Sequence, residues 1–87
     1  MDEQNILEAL YQAQQAGNAV ALATVVRTHG SMPRHAGSKM LIYSDGKIVG
    51  TVGGGAMEGR VIQDGLAALA DGQPRMVSYT LNDLRDG

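Results

Sequence analysis

The sequence predicts an α+β domain, with two helices covering a mainly antiparallel sheet of about four strands in the order α-β-β-β-α-β. Three observations predict it. Apolar residues recur at helical spacing in two segments, 2–16 and 56–70. β-branched apolar runs fill the interval between them, and one more follows the second segment. An Asp-Gly pair, Asp45-Gly46, separates two of those runs, which is a hairpin signal and makes that pairing antiparallel. The 87 residues make a single domain spanning 1–87, long enough for a core but a thin one.

The first helix is expected over Asp2 to Ala16. Asp2 suits its N-cap, Glu3 its first turn and Gly17 its stop. Ile6, Leu7, Leu10 and Ala13 form its apolar stripe, with Tyr11 at the edge. Ala19 to Thr28 is almost continuously apolar and β-branched, which predicts a strand buried on both faces and central in the sheet. His29 to Ala36 reads as a loop, because Gly, Ser and Pro break any period. Lys39–Tyr43 and Ile48–Val52 are the two hairpin strands around Ser44-Asp45-Gly46-Lys47. A second helix fits Ala56 to Ala70, with Met57, Val61, Ile62, Leu66 and Leu69 inward. Gly59 and Gly65 inside it each cost about 1 kcal/mol against Ala, so close packing against the sheet is expected at both. Asp71-Gly72 ends the helix, Arg75 to Leu81 makes a last strand, and Asn82 to Gly87 is a polar tail.

Composition narrows the function. The formal charge of −2 predicts no general affinity for nucleic acid or acidic membranes. The positive charge is concentrated, however: Arg27, Arg34, Lys39 and Lys47 stand against the single acid Asp45, with His29 and His35 in the same stretch. With no cysteine, disulfides, thiolate catalysis and Cys-ligated zinc are excluded. The polar, acidic start does not resemble a signal peptide and no apolar run approaches membrane-spanning length, so the expected location is the cytoplasm.

The chemistry centres on GTVGGGAMEGRV, residues 50–61: a strand end, the three glycines Gly53, Gly54 and Gly55, and a helix start carrying Glu58. Glycines permit a sharp turn and a close approach to a ligand, and a helix start favours an anion. The segment is not a Walker A loop, because Arg60-Val61 replaces the Lys-Ser/Thr that grips phosphate and magnesium. Nor is it a dinucleotide fingerprint: Gly59 comes one residue late, and a hairpin precedes the turn instead of a βαβ unit. Two readings stand side by side, a purely geometric strand-to-helix connection and a ligand site. Glu58 likewise either complements the helix dipole or accepts hydrogen bonds from a donor-rich ring.

The stretch from Arg27 to Lys39 supplies cations, and Pro33 restrains Arg34. Arginine is suited to forked contact with phosphate, although either arginine alone reads as an ordinary solvated side chain. Antiparallel order should bring this loop beside the glycine turn. His29 and His35 lack a carboxylate partner and metal-ligand spacing, and Ser31 lacks a nucleophile elbow or a base. No catalytic or metal-binding constellation emerges.

Taken together, V-V-R-T-H-G-S-M-P-R-H-A-G-S-K-M at 25–40 and V-G-T-V-G-G-G-A-M-E at 49–58 resemble the N-terminal domain of the XdhC/CoxI family, accessory proteins of xanthine dehydrogenase and related molybdenum hydroxylases. The resemblance runs from about Ala21 to Asp83, and the joint spacing of the two motifs is what makes it specific. It implies a non-catalytic chaperone that binds molybdenum cofactor, a pterin with a dithiolene and a phosphate, and passes it to an apo-enzyme. The matching positions are Arg27, Gly30, Ser31, Pro33, Arg34, Gly37, Lys39 and Met40, then Gly53, Gly54, Gly55 and Glu58. The resemblance marks Arg27, Ser31, Arg34, Lys39, Gly53, Gly54, Gly55 and Glu58 as the cofactor-binding set, with phosphate near the arginines and glycines and the pterin near Glu58.

Two departures qualify it. Family members commonly carry Cys where this chain has Ala56, so any cofactor contact here is expected to be non-covalent. The family continues into a Cys-Gly-Gly segment and a Rossmann-like C-terminal domain, whereas this sequence stops at Leu84-Arg85-Asp86-Gly87. A stand-alone short relative, a fragment and half of a split pair completed by a separate Rossmann-like partner chain all fit that stop. Two alternatives remain to cofactor handling: a homo-oligomeric structural or regulatory module that has lost it, and a small nucleotide-binding protein. A small domain with an exposed sheet edge is expected to self-associate.

Overall fold

The computed structural model describes residues 3–26 and 37–78. The elements are α1 (Glu3–Gln15), β1 (Val20–Thr24), β2 (Lys39–Tyr43), β3 (Ile48–Gly50) and α2 (Gly55–Asp71). The strands form one antiparallel sheet in the order β1-β2-β3. This is the α+β arrangement that the sequence predicts.

The sheet lies between the two helices. Side chains alternate across a strand, so Met40 and Ile42 point one way and Leu41 the other. Met40 and Ile42 join Val25, Val52 and Val61 in the main core, with Ala21, Ala23, Ile48, Met57, Ile62 and Leu66 packed around them. That face is covered by α2. On the other face α1 packs against β2 and β3, and Ile6, Ala13 and Leu41 are buried. Gly50 lets α1 come close. Its φ is +88°, and a β-carbon there would lie 2.6 Å from the Lys39 carbonyl oxygen and run into Ile6 Cδ1.

Among the described residues the central strand is β2, not the Ala19–Thr28 run, which supplies β1 over Val20–Thr24 at the edge of the three strands. The physical reason is pairing: β2 is bonded on both sides and covered on both faces, so its three middle residues are completely buried. β1 is half-buried with period 2. Val25 is enclosed, while Leu22 and Val26 are exposed. Apolar content alone did not separate an edge strand from a central one.

Both helices end at the predicted glycines. The Asn18 N–H donates to the Ala13 carbonyl at 2.9 Å beyond α1, and the Gly72 N–H donates to the Ala68 carbonyl at 2.8 Å beyond α2. The hairpin is a turn closed by the Gly46 N–H donating to the Tyr43 carbonyl at 2.9 Å, with Gly46 in the left-handed region and Asp45 outside it. The expected strand over Arg75 to Leu81 is not present over 75–78, where Met76 and Val77 are exposed, and 79–81 lie outside the described residues. The sheet therefore has three strands among the described residues, where four were expected.

Packing explains one of the two helical glycines. A β-carbon at Gly65 would lie 2.5 Å from Ile42 Cδ1, so close packing against the sheet accounts for this glycine. Gly59 faces open space within 4 Å, and the expected packing is not found there.

Candidate functional site

The ladder sets the geometry of the site. β1 ends, β2 begins and β3 ends at one edge of the sheet, because Thr24 pairs with Lys39 and Met40 with Gly50. The pairing continues beyond Thr24: the Val25 N–H donates to the Ser38 carbonyl at 2.9 Å, and the Gly37 N–H donates to the Val25 carbonyl at 2.6 Å. Both stems of segment 27–36 thus leave the sheet at the end where the chain enters the glycine turn. The expected placement of the two motifs at one end holds for these stems.

Arg27, Ser31 and Arg34, with His29 and His35, lie outside the described residues. Lys39 opens β2 at the same sheet end, half-buried, and its ammonium donates to the Gly37 carbonyl at 3.1 Å.

The glycine turn has a backbone reason for its composition. Gly53, Gly54 and Gly55 all have positive φ, at 127°, 77° and 67°. Gly54, the N-cap of α2, has ψ −174°, a region essentially restricted to glycine. Three glycines in a row are therefore required by the path of the chain itself. The N-cap provides no side-chain hydrogen bond.

Glu58 stands in the first turn of α2, where its charge complements the helix dipole. Its carboxylate is not left to solvent alone. The Thr51 hydroxyl donates to Glu58 Oε2 at 2.8 Å, and the same hydroxyl oxygen accepts the Gly53 N–H at 3.0 Å. One threonine thus ties the strand exit, the glycine turn and the helix start together. Gly54 lies under the carboxylate, and a β-carbon there would come 3.7 Å from Oε2. Thr51 is absent from the sequence-derived site because it reads as the last β-branched residue of a strand. The available signal was a hydroxyl two residues ahead of Gly53, the spacing of a local side-chain-to-backbone turn.

This arrangement offers a fixed hydrogen-bond acceptor beside an open turn. Ala56, exposed in the same turn of α2, contributes only a methyl group. Among the described residues, no group of three His, Cys, Asp or Glu is placed to hold a metal ion, and no helix is long and apolar enough to cross a membrane. A shallow apolar depression lined by Ser44, Leu66, Leu69 and Ala70 lies at the hairpin end of the sheet, away from these groups.

Residues 13–80 match the model of the XdhC and CoxI family. YqeB of Escherichia coli strain K12 is 40% identical over 72 residues, covering 83% of this chain and 13% of that protein. The molybdenum cofactor insertion chaperone PaoD of the same strain is 30% identical over 78 residues, covering 90% of this chain and 24% of that protein. The chain spans less than a quarter of the length of either relative.

Proposed function

The chain belongs to the XdhC and CoxI family, and from that premise we propose that it is a non-catalytic accessory domain that binds molybdenum cofactor for insertion into a xanthine dehydrogenase-like molybdenum hydroxylase. The similarity to the insertion chaperone PaoD supports this role. The observation that carries it is the anchored Glu58 carboxylate beside the glycine turn, at the sheet end from which the Arg27–Lys39 stretch also departs.

The residues suit this cargo. Glu58 is an acceptor for the amino and ring N–H groups of the pterin, and the three glycines leave room over the turn. A carboxylate here opposes a phosphate, so the phosphate is assigned to Arg27 and Arg34, with Lys39 just beyond the same segment. Ser31 adds a hydroxyl to that segment. Ala56 supplies no ligand to the metal, so the cargo is held non-covalently. The cofactor brings the redox chemistry of the recipient enzyme, while the chain binds and orients it. The site works in the cytoplasm, where the apo-hydroxylase would collect the cofactor.

A transfer assay tests the role. The chain is loaded with cofactor and mixed with a cofactor-free molybdenum hydroxylase. Recovery of hydroxylase activity beyond that given by free cofactor is expected. No gain would favour the alternative that Ala56 suggests, a homo-oligomeric module without cofactor handling. Light scattering then decides that alternative, which requires a defined oligomer.

A further inference from the structure

We infer that Thr51 is the positioning residue of the site, setting the orientation in which Glu58 meets its ligand. The inference rests on the proposed cofactor-binding role of Glu58 and extends it to a residue outside the sequence-derived set. A glutamate in the first turn of a helix has rotatable bonds and ordinarily wanders in solvent. Here Oε2 is engaged by the Thr51 hydroxyl at 2.8 Å. That hydroxyl is itself oriented, because its oxygen accepts the Gly53 N–H at 3.0 Å and its proton is thereby left for the carboxylate. The hydrogen bond is charge-assisted, the stronger kind. Thr51 follows directly on β3, so its backbone is held by the sheet. The result is a carboxylate with one lone pair of Oε2 committed. Oε1 and the second lone pair of Oε2 are left to accept from a ligand in a fixed direction, which lowers the ordering cost of binding.

The chemical consequence is selectivity for a donor edge. A ring presenting an amino group next to a ring N–H, as the pterin does, matches a carboxylate held in this way. A purely anionic group does not. Guanine shares that edge, and the two sources are separated in the test.

The test is a double-mutant cycle read by equilibrium binding. The probes are molybdopterin, the simple pterin 6-hydroxymethylpterin, and GTP. Thr51→Val keeps the β-branched shape and removes the hydroxyl, and Glu58→Gln removes the charge. Thr51→Val is expected to weaken molybdopterin binding about tenfold, the scale of one hydrogen bond to a charged group. Thr51→Ser is expected to restore it to within about twofold, and Thr51→Val is expected to add no further loss on top of Glu58→Gln. A structural role for Thr51 alone would not produce that non-additivity. Additive losses, or unchanged binding by Thr51→Val, overturn the inference while the cofactor-binding reading stands. No binding of molybdopterin by the unmodified chain overturns both. Tighter binding of GTP than of either pterin refutes the assignment of the donor edge to a pterin. If Thr51→Val does not fold, Thr51→Ala takes its place in the same cycle, with the same outcomes deciding.

Discussion

Replacing each of the two glycines inside α2 by alanine should give opposite results. In an exposed helix interior the exchange is worth about 1 kcal/mol in favour of alanine. Gly59 has nothing within 4 Å of its would-be β-carbon, so Gly59→Ala should stabilise the fold by about that amount. At Gly65 the new methyl would lie 2.5 Å from Ile42 Cδ1 and 3.5 Å from Ile42 Cβ and Cγ1. Ile42 is wholly buried and fixed between Ala21 and Ile48 in the sheet, so it has little room to turn away. Overpacking of this kind costs about 1–3 kcal/mol, which exceeds the helix gain and leaves Gly65→Ala about 1 kcal/mol less stable than the parent. For a domain of 87 residues, 1 kcal/mol corresponds to about 5 °C in Tm, so the two variants should differ by about 10 °C in a thermal melt followed by circular dichroism. The clash has a specific remedy. Ile42→Val removes Cδ1, at a cost of about 1 kcal/mol by itself, and in that background Gly65→Ala should become stabilising. Equal stabilisation by Gly59→Ala and Gly65→Ala, or no rescue by Ile42→Val, would refute the reasoning.

Gly54→Ala should destabilise the fold by about 1–3 kcal/mol in urea denaturation, because φ 77° with ψ −174° is strained for any L side chain; an unchanged midpoint would mean that the turn relaxes to another path. The Asp71 carboxyl is held below its ordinary value of 3.8, first by the Gln73 backbone N–H and with further help from Arg75, which together outweigh the opposing effect of desolvation. A depressed carboxyl contributes stability that is complete above its unfolded value and disappears as pH falls through its folded value. Asp71→Asn should therefore lower stability above about pH 4 and converge with the parent as pH falls below it, which flattens part of the acid limb of the stability profile. A loss that persists undiminished at acid pH would contradict that assignment.

Much of the fold was legible because local signals were unambiguous. The stops at Gly17 and Gly72, the Asp45-Gly46 hairpin and the helical stripe of α2 all follow from short-range chemistry that tertiary packing did not override. The rank of the strands was not legible. The Ala19–Thr28 run is more continuously apolar than Lys39–Tyr43, yet β2 is central, because strand order depends on pairing partners and helix coverage that no single segment records. The site was half legible. Glycine spacing rules out the nucleotide loops but leaves the three consecutive glycines open between a geometric connection and a ligand site, and their positive φ values account for all three on backbone grounds. Thr51 escaped notice because a threonine at a strand end satisfies strand propensity and local hydrogen bonding at once. Gly59 and Gly65 look alike in sequence and differ only in whether Ile42 stands opposite.

The central claim is that this chain carries molybdenum cofactor by non-covalent contacts from both motifs. Equilibrium titration with molybdopterin, on the unmodified chain and on Arg34→Ala and Glu58→Gln, tests it most directly. The account predicts saturable binding by the unmodified chain and a loss of about tenfold or more in each variant, from the phosphate and pterin ends respectively. Absence of binding, or binding indifferent to both Arg34 and Glu58, would contradict it.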